Sequence, residues 1–374
     1  MQKIVINALQ YKKNSSGIGV MIRELFSRYA STTRRPCEIV LCRGVTDFPT
    51  GKEAVLRRAP CSYEQGFQRI FYQLFQMGPS CCEDALLLTT DAKTPLLLPR
   101  SCRVLPLVTD LALYRLPNAY QTSRVLLWKL QYTYLRRRAD HFLAISEFTK
   151  RELTEILGIP SERIDVVPCA CGEHFHRITD TETLQVLREK YALPERFALF
   201  VGNTNPRKNL KRLIQAFDKA KSQGLRHHLV IAGGQGWKFD REKALAGIRH
   251  KESVHFIGFV PDENMPALYS AADAFLFPTL YEGFGIPVLE AQRCGTPVLT
   301  SNSSSLPEVG GNGALYVDPY DVDGMAEGIC RLLTDRTLTA ELTERGYQNA
   351  ERFSWQASAE ILDKIVEEEF RKWK

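Results

Sequence analysis

Short apolar runs alternate with helix-like segments along nearly the whole chain, and this rhythm limits the possible folds more than any other feature. The runs of the first half are KIVINAL (3–9), EIVLC (38–42), ALLLTT (85–90), VLPLVTD (104–110), HFLAIS (141–146) and IDVVPC (164–169). Their lengths and continuous apolar character predict buried parallel strands. Strands that alternate with helices such as 147–157 indicate an α/β protein whose sheets are covered on both faces.

The rhythm stops in a polar stretch at 177–195 and then restarts. Further strands are predicted at RFALFVG (196–202), HLVIAGG (228–234), VHFIGFV (254–260), AFLFPT (274–279) and PVLTS (297–301), with helices at 209–222, 262–272, 287–294 and 321–333. A chain of 374 residues is also long for a single core. We therefore predict two Rossmann-like domains, 1–175 and 176–353, facing each other across a cleft that holds the active site. A last helix at 354–374 has no strand after it and is predicted to cross back to the first domain.

No uncharged apolar window of about 18 residues and no export signal occur in the sequence. These observations predict a cytoplasmic protein. The ten cysteines are accordingly expected to stay reduced. Cys169 and Cys171 form a CxC close to His174 and His176, so a metal site is an alternative to buried thiols.

Positive charge is concentrated in the first part of the chain. Residues 1–150 hold 22 Lys and Arg against 11 Asp and Glu, within a total net charge of +6. Such a basic half suits an anionic partner, although a solvated face that aids solubility fits equally well.

Two glutamates flank a glycine-rich turn in 282-EGFGIPVLE-290, between a predicted strand and a predicted helix. Gly283 and Gly285 allow a ligand to approach the backbone closely, and the first N–H groups of the helix form an anion site. Glu282 in the loop and Glu290 in the helix could accept hydrogen bonds from hydroxyl groups of a sugar and a ribose. The alternative is an ordinary helix start with a glutamate in its first turns.

Two further segments follow predicted strands. In 201-VGNTNPRKNL-210, Arg207 and Lys208 could neutralise a diphosphate, or they could be ordinary solvated cations. In 14-NSSGIGVMIREL-25, Gly17 and Gly19 could let a loop close over phosphates. The second segment lacks the third glycine of a dinucleotide fingerprint and is separated from its strand, which argues against a nicotinamide oxidoreductase.

Together, EGFGIPVLEA, VGNTNPRKN, the GIG loop, ISEFTKREL…IDVVP and TSNSSSLPEVGGNGALYVDPYD resemble glycosyltransferase family 4. The resemblance covers nearly the whole chain and implies the GT-B fold, with retaining, metal-independent transfer from a nucleotide-sugar. It implies that Glu282, first glutamate of the EX7E motif, binds hydroxyls of the donor sugar. Glu290, the second glutamate, would hold the ribose, and Arg207 and Lys208 would hold the diphosphate.

The resemblance extends to backbone groups of the donor site. The amides of Gly283, Phe284, Gly285 and Ile286, and those of Gly17 and Gly19, would assist the two cations. Glu308, in LPEV, would line the same region. Asn203 stands where many relatives have an arginine, so it is assigned to the donor site without that charge.

Asp110 occupies a position at which relatives often carry a His-Asp pair. It could position the sugar or the acceptor, or it could cap the following turn. The segment Cys169–Gly172 replaces the usual stretch between the domains, which leaves the hinge without a match.

The resemblance is strongest to mannosyltransferases of surface-polysaccharide assembly and implies GDP-mannose as donor, with a glycan or lipid-linked acceptor and no nucleic-acid partner. A UDP-sugar donor is the alternative within this class. A two-lobed solute-binding protein is the alternative from another class, and it should carry an export signal.

Basic and aromatic residues share the predicted helices at 120–140 and 67–77. Such helices could rest on an anionic membrane, which would place the protein at the inner face of the cell membrane. They could equally pack on their own sheet and show their charges to water.

Overall fold

The structure, a computed structural model, describes residues 2–12, 17–51, 54–90, 94–234, 236 and 239–373, apart from the side chain of Arg124. The chain divides into two compact units. The first unit comprises Met1–Cys169 and Ser354–Lys374, and the second comprises Ala170–Phe353. The division falls six residues before the boundary assigned from the sequence.

The strands are β1 (Lys3–Asn7), β2 (Cys37–Leu41), β3 (Ala54–Arg58), β4 (Ala85–Thr90), β5 (Arg103–Val108), β6 (Phe142–Ala144), β7 (Ile164–Val166), β8 (Phe197–Val201), β9 (His228–Ala232), β10 (Val254–Gly258), β11 (Ala274–Phe277), β12 (Val298–Ser301) and β13 (Ala314–Val317). The α-helices are α1 (Ile18–Thr32), α2 (Gly66–Phe71), α3 (Met77–Cys81), α4 (Ala112–Arg115), α5 (Thr122–Arg138), α6 (Glu147–Leu157), α7 (Thr181–Tyr191), α8 (Leu210–Ser222), α9 (Arg241–Leu245), α10 (Met265–Ala271), α11 (Ile286–Arg293), α12 (Leu306–Gly310), α13 (Val322–Thr334), α14 (Arg336–Ala350) and α15 (Trp355–Arg371).

Each unit is built around one parallel sheet. The first sheet has the order β3-β2-β1-β4-β5-β6-β7, and the second has the order β10-β9-β8-β11-β12-β13. In both sheets the chain winds outward from a central pair, β1 with β4 and β8 with β11, so the order reverses between these strands. The α/β class predicted from the sequence is confirmed. At the switch point of the first sheet, where the strand order reverses, Ile6 of β1 pairs with Leu88 of β4.

Buried strands explain why the apolar runs located the sheets so well. Every residue of β4 and β11 is buried, which leaves no polar face to produce alternation along the strand. The helices between strands carry recognisable ends. Helix α6 starts at Ser146, whose hydroxyl accepts from the N–H of Thr149, and it ends at Gly158 with φ 61°.

The C-terminal helix α15 packs within the first unit. The Arg35 guanidinium forms a two-bond pair with the Glu367 carboxylate, at 2.6 and 2.7 Å. Glu369 accepts from Arg103 at 2.9 Å, and the Ser358 hydroxyl donates to the carbonyl of Pro168 at 2.7 Å. Polar contacts as well as apolar ones therefore tie this segment to residues far away in the sequence.

The sequence did not anticipate the strands β3 and β13 or several helices, among them α7, α9, α12 and α14. Strands β3 and β13 lie at sheet edges, where each has one partner strand and needs no continuous apolar run. Val55 in β3 is exposed, and two arginines end that strand. The helix expected at 262–272 is a 3-10 turn, Asp262–Asn264, followed by α10. Within the described ranges, we find no helix that combines the length and apolarity needed to cross a bilayer.

Candidate functional site

A buried carboxylate held by two cations lies in the second unit. Glu282 Oε2 accepts from Arg207 Nη1 at 2.7 Å, and Glu282 Oε1 accepts from Lys208 Nζ at 2.9 Å. Arg207 also donates to the carbonyl of Tyr281 at 2.7 Å. The structure therefore brings together the three residues that the sequence assigned to charge neutralisation and sugar binding.

The topology explains this meeting. Arg207 and Lys208 follow β8, Glu282 follows β11, and these two strands are the neighbours at which the strand order reverses. The loops are also bonded to each other, since the N–H of Leu280 donates to the carbonyl of Arg207 at 2.9 Å. Asn209, with φ 58°, donates its side-chain amide to the carbonyl of Pro278 at 3.0 Å. The cations are therefore fixed against the glutamate loop.

Burial and charge act in opposite directions on this cluster. Burial raises the pKa of Glu282, but the charges of Arg207 and Lys208 outweigh it and hold the pKa below its ordinary value. Burial lowers the pKa of Lys208, and the Glu282 carboxylate counteracts part of that shift. The ammonium also lies 4.5 Å from the centroid of the Phe277 ring. The cluster carries one net positive charge and suits an anionic ligand.

The glycine-rich turn follows directly. Gly285 has φ 112°, and a Cβ atom there would lie 2.8 Å from Leu306 Cδ2, so both conformation and space call for glycine. Phe284 is buried, with its ring edge-on to Phe353 at 5.6 Å between centroids. Ile286 opens α11, and among the described residues no side chain caps its first turn. Gly283 and Gly285 thus lead into a helix start at which Ile286 can present its N–H to an anion, whereas Pro287 has no N–H and Val288 donates to the carbonyl of Gly285.

A serine pair clamps this turn and was not singled out from the sequence. The Ser305 hydroxyl donates to the carbonyls of Glu282 and Phe284, at 2.9 and 2.6 Å. The N–H of Glu282 donates to Ser304 Oγ at 3.1 Å, and Ser304 has φ 57°. No role was assigned to either serine from the sequence. A serine next to a loop is too common to indicate such a contact.

Glu290 lies in α11 and is half-buried. Its Oε2 accepts from the hydroxyl of Tyr269 at 2.8 Å. Burial raises the pKa of Glu290 to about 7, while the hydrogen bond from Tyr269 acts to lower it. Glu282 and Glu290 therefore differ in charge state near neutral pH, although both belong to one sequence motif.

The other predicted donor residues of this unit surround the cluster less directly. Asn203 is exposed in the loop after β8, and its carbonyl accepts from Asn205 Nδ2 at 3.3 Å. Glu308 is half-buried in the first turn of α12, the short helix that follows the Ser305 clamp. Their assignment to donor binding stays a prediction.

Three predicted residues belong to the first unit. Gly17 precedes α1 with φ 63°, and Gly19 is buried inside that helix. The Asn14–Ser16 part of the predicted loop lies outside the described residues. Asp110 Oδ1 accepts from the N–H of Ala112 at 2.9 Å, which is the contact that capping the turn requires.

The two cysteines considered as metal ligands are buried thiols. Cys169 and Cys171 are both buried, and burial raises the pKa of Cys171 to about 12. His174 Nε2 lies 3.3 Å from an Asp262 carboxylate oxygen. Across the described ranges, no three histidine, cysteine or acidic side chains are grouped as a metal site requires.

Two family models match this chain. Residues 185–352 match glycosyl transferases group 1, and residues 106–171 match Glycosyltransferase Family 4. The first match contains the whole cluster together with the turn and α11. Residues 185–352 are thus similar to a glycosyltransferase domain. The likeness to glycosyltransferases predicted from the motifs is confirmed, while membership of family 4 in particular and the EX7E roles stay predictions.

Relatives of this glycosyltransferase domain include two from Escherichia coli. The O-antigen chain mannosyltransferase B is 34% identical over 249 residues, which are 66% of this chain and 65% of that protein. The serotype-specific mannosyltransferase WbdA is 36% identical over 233 residues, which are 60% of this chain and 28% of that protein. The matched region thus spans slightly less than two thirds of the first relative and about a quarter of the second.

Solved structures share the fold of this chain over all or nearly all of its length. Sucrose-phosphate synthase from Thermosynechococcus elongatus has a TM-score of 0.77 at 19% identity, with both chains covered completely. WaaG, a glycosyltransferase involved in lipopolysaccharide biosynthesis, has a TM-score of 0.69 at 17% identity, covering 97% of this chain and 99% of that chain. The predicted GT-B fold is confirmed.

Proposed function

We propose that this protein transfers mannose from GDP-mannose to a glycan or lipid-linked acceptor in surface-polysaccharide synthesis, with retention of anomeric configuration. The observation that carries the proposal is the Glu282 carboxylate held by Arg207 and Lys208 at the switch point of the second sheet. Mannose as the sugar is supported by the names of the two relatives from Escherichia coli.

In this proposal the cluster recognises two parts of the donor. Each carboxylate oxygen of Glu282 already accepts one hydrogen bond and retains a lone pair for a sugar hydroxyl. Arg207 and Lys208 face the diphosphate and stabilise the charge that grows on it as the sugar departs. Amides at the start of α11 assist them, and the Glu290 carboxylate holds the ribose.

Retention follows from a same-face reaction. A carboxylate whose two oxygens are both bonded to cations is a poor nucleophile, so Glu282 is not assigned a covalent intermediate. The bond from the anomeric carbon to the phosphate oxygen breaks, and a bond to the acceptor oxygen forms on the same face. The acceptor proton passes to the departing diphosphate. Arg207 and Lys208 supply the charge stabilisation, and no metal is invoked.

Isothermal calorimetry against GDP, UDP, ADP and NADH tests the nucleotide. We expect GDP to bind most tightly and Glu290→Ala to weaken it. Tightest binding of UDP would replace the donor by a UDP-sugar, and binding of NADH alone would remove the transferase proposal. Binding of a free sugar without any nucleotide would favour a solute-binding protein. An NMR assignment of the product anomer then tests retention.

We further propose that the first unit rests on an anionic membrane surface. Helix α2 and the turn after it expose Phe67, Ile70, Phe71 and Phe75, with Phe67 82% exposed. These positions share one face of a helix. Large apolar groups in water are unfavourable, and a contiguous set of them indicates a binding surface.

Helix α5 contributes a second exposed apolar face, formed by Leu126, Leu127 and Leu130. This helix buries Gln131 and Tyr132 instead, so its outward side is more apolar than the sequence suggested. Lys129, Arg136 and Arg137 are exposed on the same helix. Each cation near an anionic surface contributes about 1 kcal/mol. The combination fits the inner face of a cell membrane that presents a lipid-linked acceptor.

The segment 95–97 lies between the two helical elements. The N–H of Leu96 donates to the carbonyl of Leu74 at 2.8 Å, and the Tyr134 hydroxyl donates to the carbonyl of Leu96 at 3.2 Å. Leu96 and Leu97 are exposed as well. The two apolar faces are thereby linked by a third exposed apolar segment in one region of the first unit.

Sedimentation with vesicles containing anionic phosphatidylglycerol tests this surface. We expect salt-sensitive binding that falls at least fivefold in a Phe67→Ser, Phe71→Ser double variant, since two aromatic side chains leave the interface. Val186→Ser, which changes an exposed apolar residue of the second unit, should bind as the unsubstituted protein does. Equal binding of neutral and anionic vesicles, or none, would contradict the proposal.

A further inference from the structure

We infer that Tyr269 is a positioning residue for nucleotide binding, which holds one oxygen of Glu290 so that the other oxygen faces the ribose. The inference rests on the proposed function, because it assumes that Glu290 accepts hydrogen bonds from the ribose hydroxyls. It adds a residue outside the motif that contains Glu290. Tyr269 lies in α10, and Glu290 lies in α11.

The contact is short and directed. The Tyr269 hydroxyl donates to Glu290 Oε2 at 2.8 Å, a distance typical of a hydrogen bond to a carboxylate. Tyr269 is fully buried, whereas Glu290 is half-buried. The tyrosine therefore holds Oε2 from the protein interior, and Oε1 is the oxygen that we assign to the ribose.

Tyr269 itself is held firmly. Its ring lies edge-on to Phe175 and Phe275, with centroids 6.1 and 5.3 Å away. Its carbonyl accepts from the Thr296 hydroxyl at 2.7 Å. A donor fixed through both its ring and its backbone limits the rotamers that Glu290 can adopt, and a preoriented carboxylate loses less entropy when it binds a ligand.

The hydrogen bond also affects ionisation. Burial raises the pKa of Glu290 to about 7, and the Tyr269 hydroxyl acts to lower it. Removal of the hydroxyl should therefore raise the pKa of Glu290 further and reduce the ionised fraction near neutral pH. A carboxylate accepts hydrogen bonds more strongly than a carboxylic acid does. The titratable and charged groups that act on Glu290 or are acted on by it are Asp262, His174, Lys208, Tyr269, Cys171 and Cys294.

The test compares Tyr269→Phe with Tyr191→Phe. The first variant keeps the ring and loses only the donor to Glu290. The second is a matched control, because Tyr191 accepts from Asn264 Nδ2 at 3.1 Å, immediately before the same helix α10. Calorimetry with GDP-mannose, UDP-glucose and ADP-glucose measures affinity from about pH 6 to about pH 9. The diphosphate of a nucleotide-sugar carries esters at both ends and does not titrate in this range.

We expect Tyr269→Phe to weaken binding about fivefold at pH 7 and less than about twofold at pH 9, where Glu290 is ionised in both proteins. Tyr191→Phe should bind like the unsubstituted protein at every pH. An equal loss of affinity in Tyr191→Phe, or unchanged affinity in Tyr269→Phe at every pH, would overturn the inference.

The remaining outcomes separate the inference from the proposed function. If Glu290→Gln weakens binding while Tyr269→Phe does not, the positioning role is wrong and the ribose role stands. If Glu290→Gln has no effect, the ribose role fails and the positioning role fails with it. If none of the three nucleotide-sugars binds the unsubstituted protein, both the proposed donor class and the inference are wrong.

Discussion

Two glutamates of this protein each lie between a lysine and an arginine, but in different units of the fold. Glu282 in the second unit lies between Arg207 and Lys208, and Glu38 in the first unit lies between Lys3 and Arg57. Both glutamates are buried. A list of ion pairs would treat them alike.

They differ in the end of the sheet that they occupy. Glu38 is the second residue of β2, at the amino end of a parallel sheet, whereas Glu282 follows β11 at the carboxyl end. The cations also differ, since the side chains of Arg57 and Lys3 are 40% and 29% exposed and those of Arg207 and Lys208 are 18% and 12% exposed. Ligands of open parallel sheets bind at the carboxyl ends. Of two similar clusters of one glutamate and two cations, we therefore expect only the one at the carboxyl end of a sheet to bind a ligand.

The largest expected effect is the difference in turnover between variants that lack one carboxylate or the other. We expect Glu282→Ala to lower turnover at least tenfold, about 1.4 kcal/mol of barrier, because the sugar loses its acceptor and the cations lose their partner. Glu38→Ala should leave turnover unchanged. Steady-state rates with a nucleotide-sugar donor measure both.

Folding must be checked, because Glu282→Ala leaves Lys208 buried beside Arg207 without its carboxylate. Glu282→Gln keeps the shape and loses the charge, and it should show the same order of effects. Near-native turnover in folded Glu282→Ala and Glu282→Gln, or an equal loss in Glu38→Ala, would remove the distinction between the two sheet ends.

Glycines in the two units are expected to differ in how much stability is lost when they are replaced by alanine. Gly285→Ala meets an unfavourable φ and a Cβ contact at 2.8 Å with Leu306, whereas Gly17→Ala meets the unfavourable φ with no atom within 4 Å. We expect losses in unfolding free energy of about 2–4 kcal/mol for Gly285→Ala and about 1 kcal/mol for Gly17→Ala. Urea unfolding measures the difference. An equal or larger loss in Gly17→Ala would contradict this prediction.

A further expected effect concerns pH and the half-buried Glu290. Its pKa of about 7 in the folded protein lies above the ordinary glutamate value of 4.5, so the folded state binds the extra proton between these two pH values. Stability should therefore fall as the pH rises from 4.5 towards 7 and should stay level above that range. Glu290→Gln should remove this slope, and Glu38→Gln should retain it. Urea midpoints at several pH values test this, and a parallel slope in Glu290→Gln would exclude Glu290 as its source.

Much of the fold could be predicted from the chain alone. The strand β4 and the helix α6 coincide with the predicted 85–90 and 147–157, because buried strands and a capped helix leave strong local signals. The edge strands β3 and β13 were missed because a strand with one partner needs less apolar sequence. The exposed leucines of α5 were missed because burial depends on neighbours that are distant in sequence.

Three features could be predicted from the sequence alone: the α/β class, the two series of strands, and the residue types that meet at the candidate site. Periodicity and glycine-rich turns are local properties, and so a single chain displays them. Three contacts are visible only in the tertiary structure. Arg207 and Lys208 share the carboxylate of Glu282, Ser305 holds the glycine turn, and Tyr269 donates to Glu290. These contacts join residues more than 20 positions apart. The first forms because β8 and β11 are neighbours in the sheet although β9 and β10 lie between them in the chain, and the other two join segments on either side of β11 or β12.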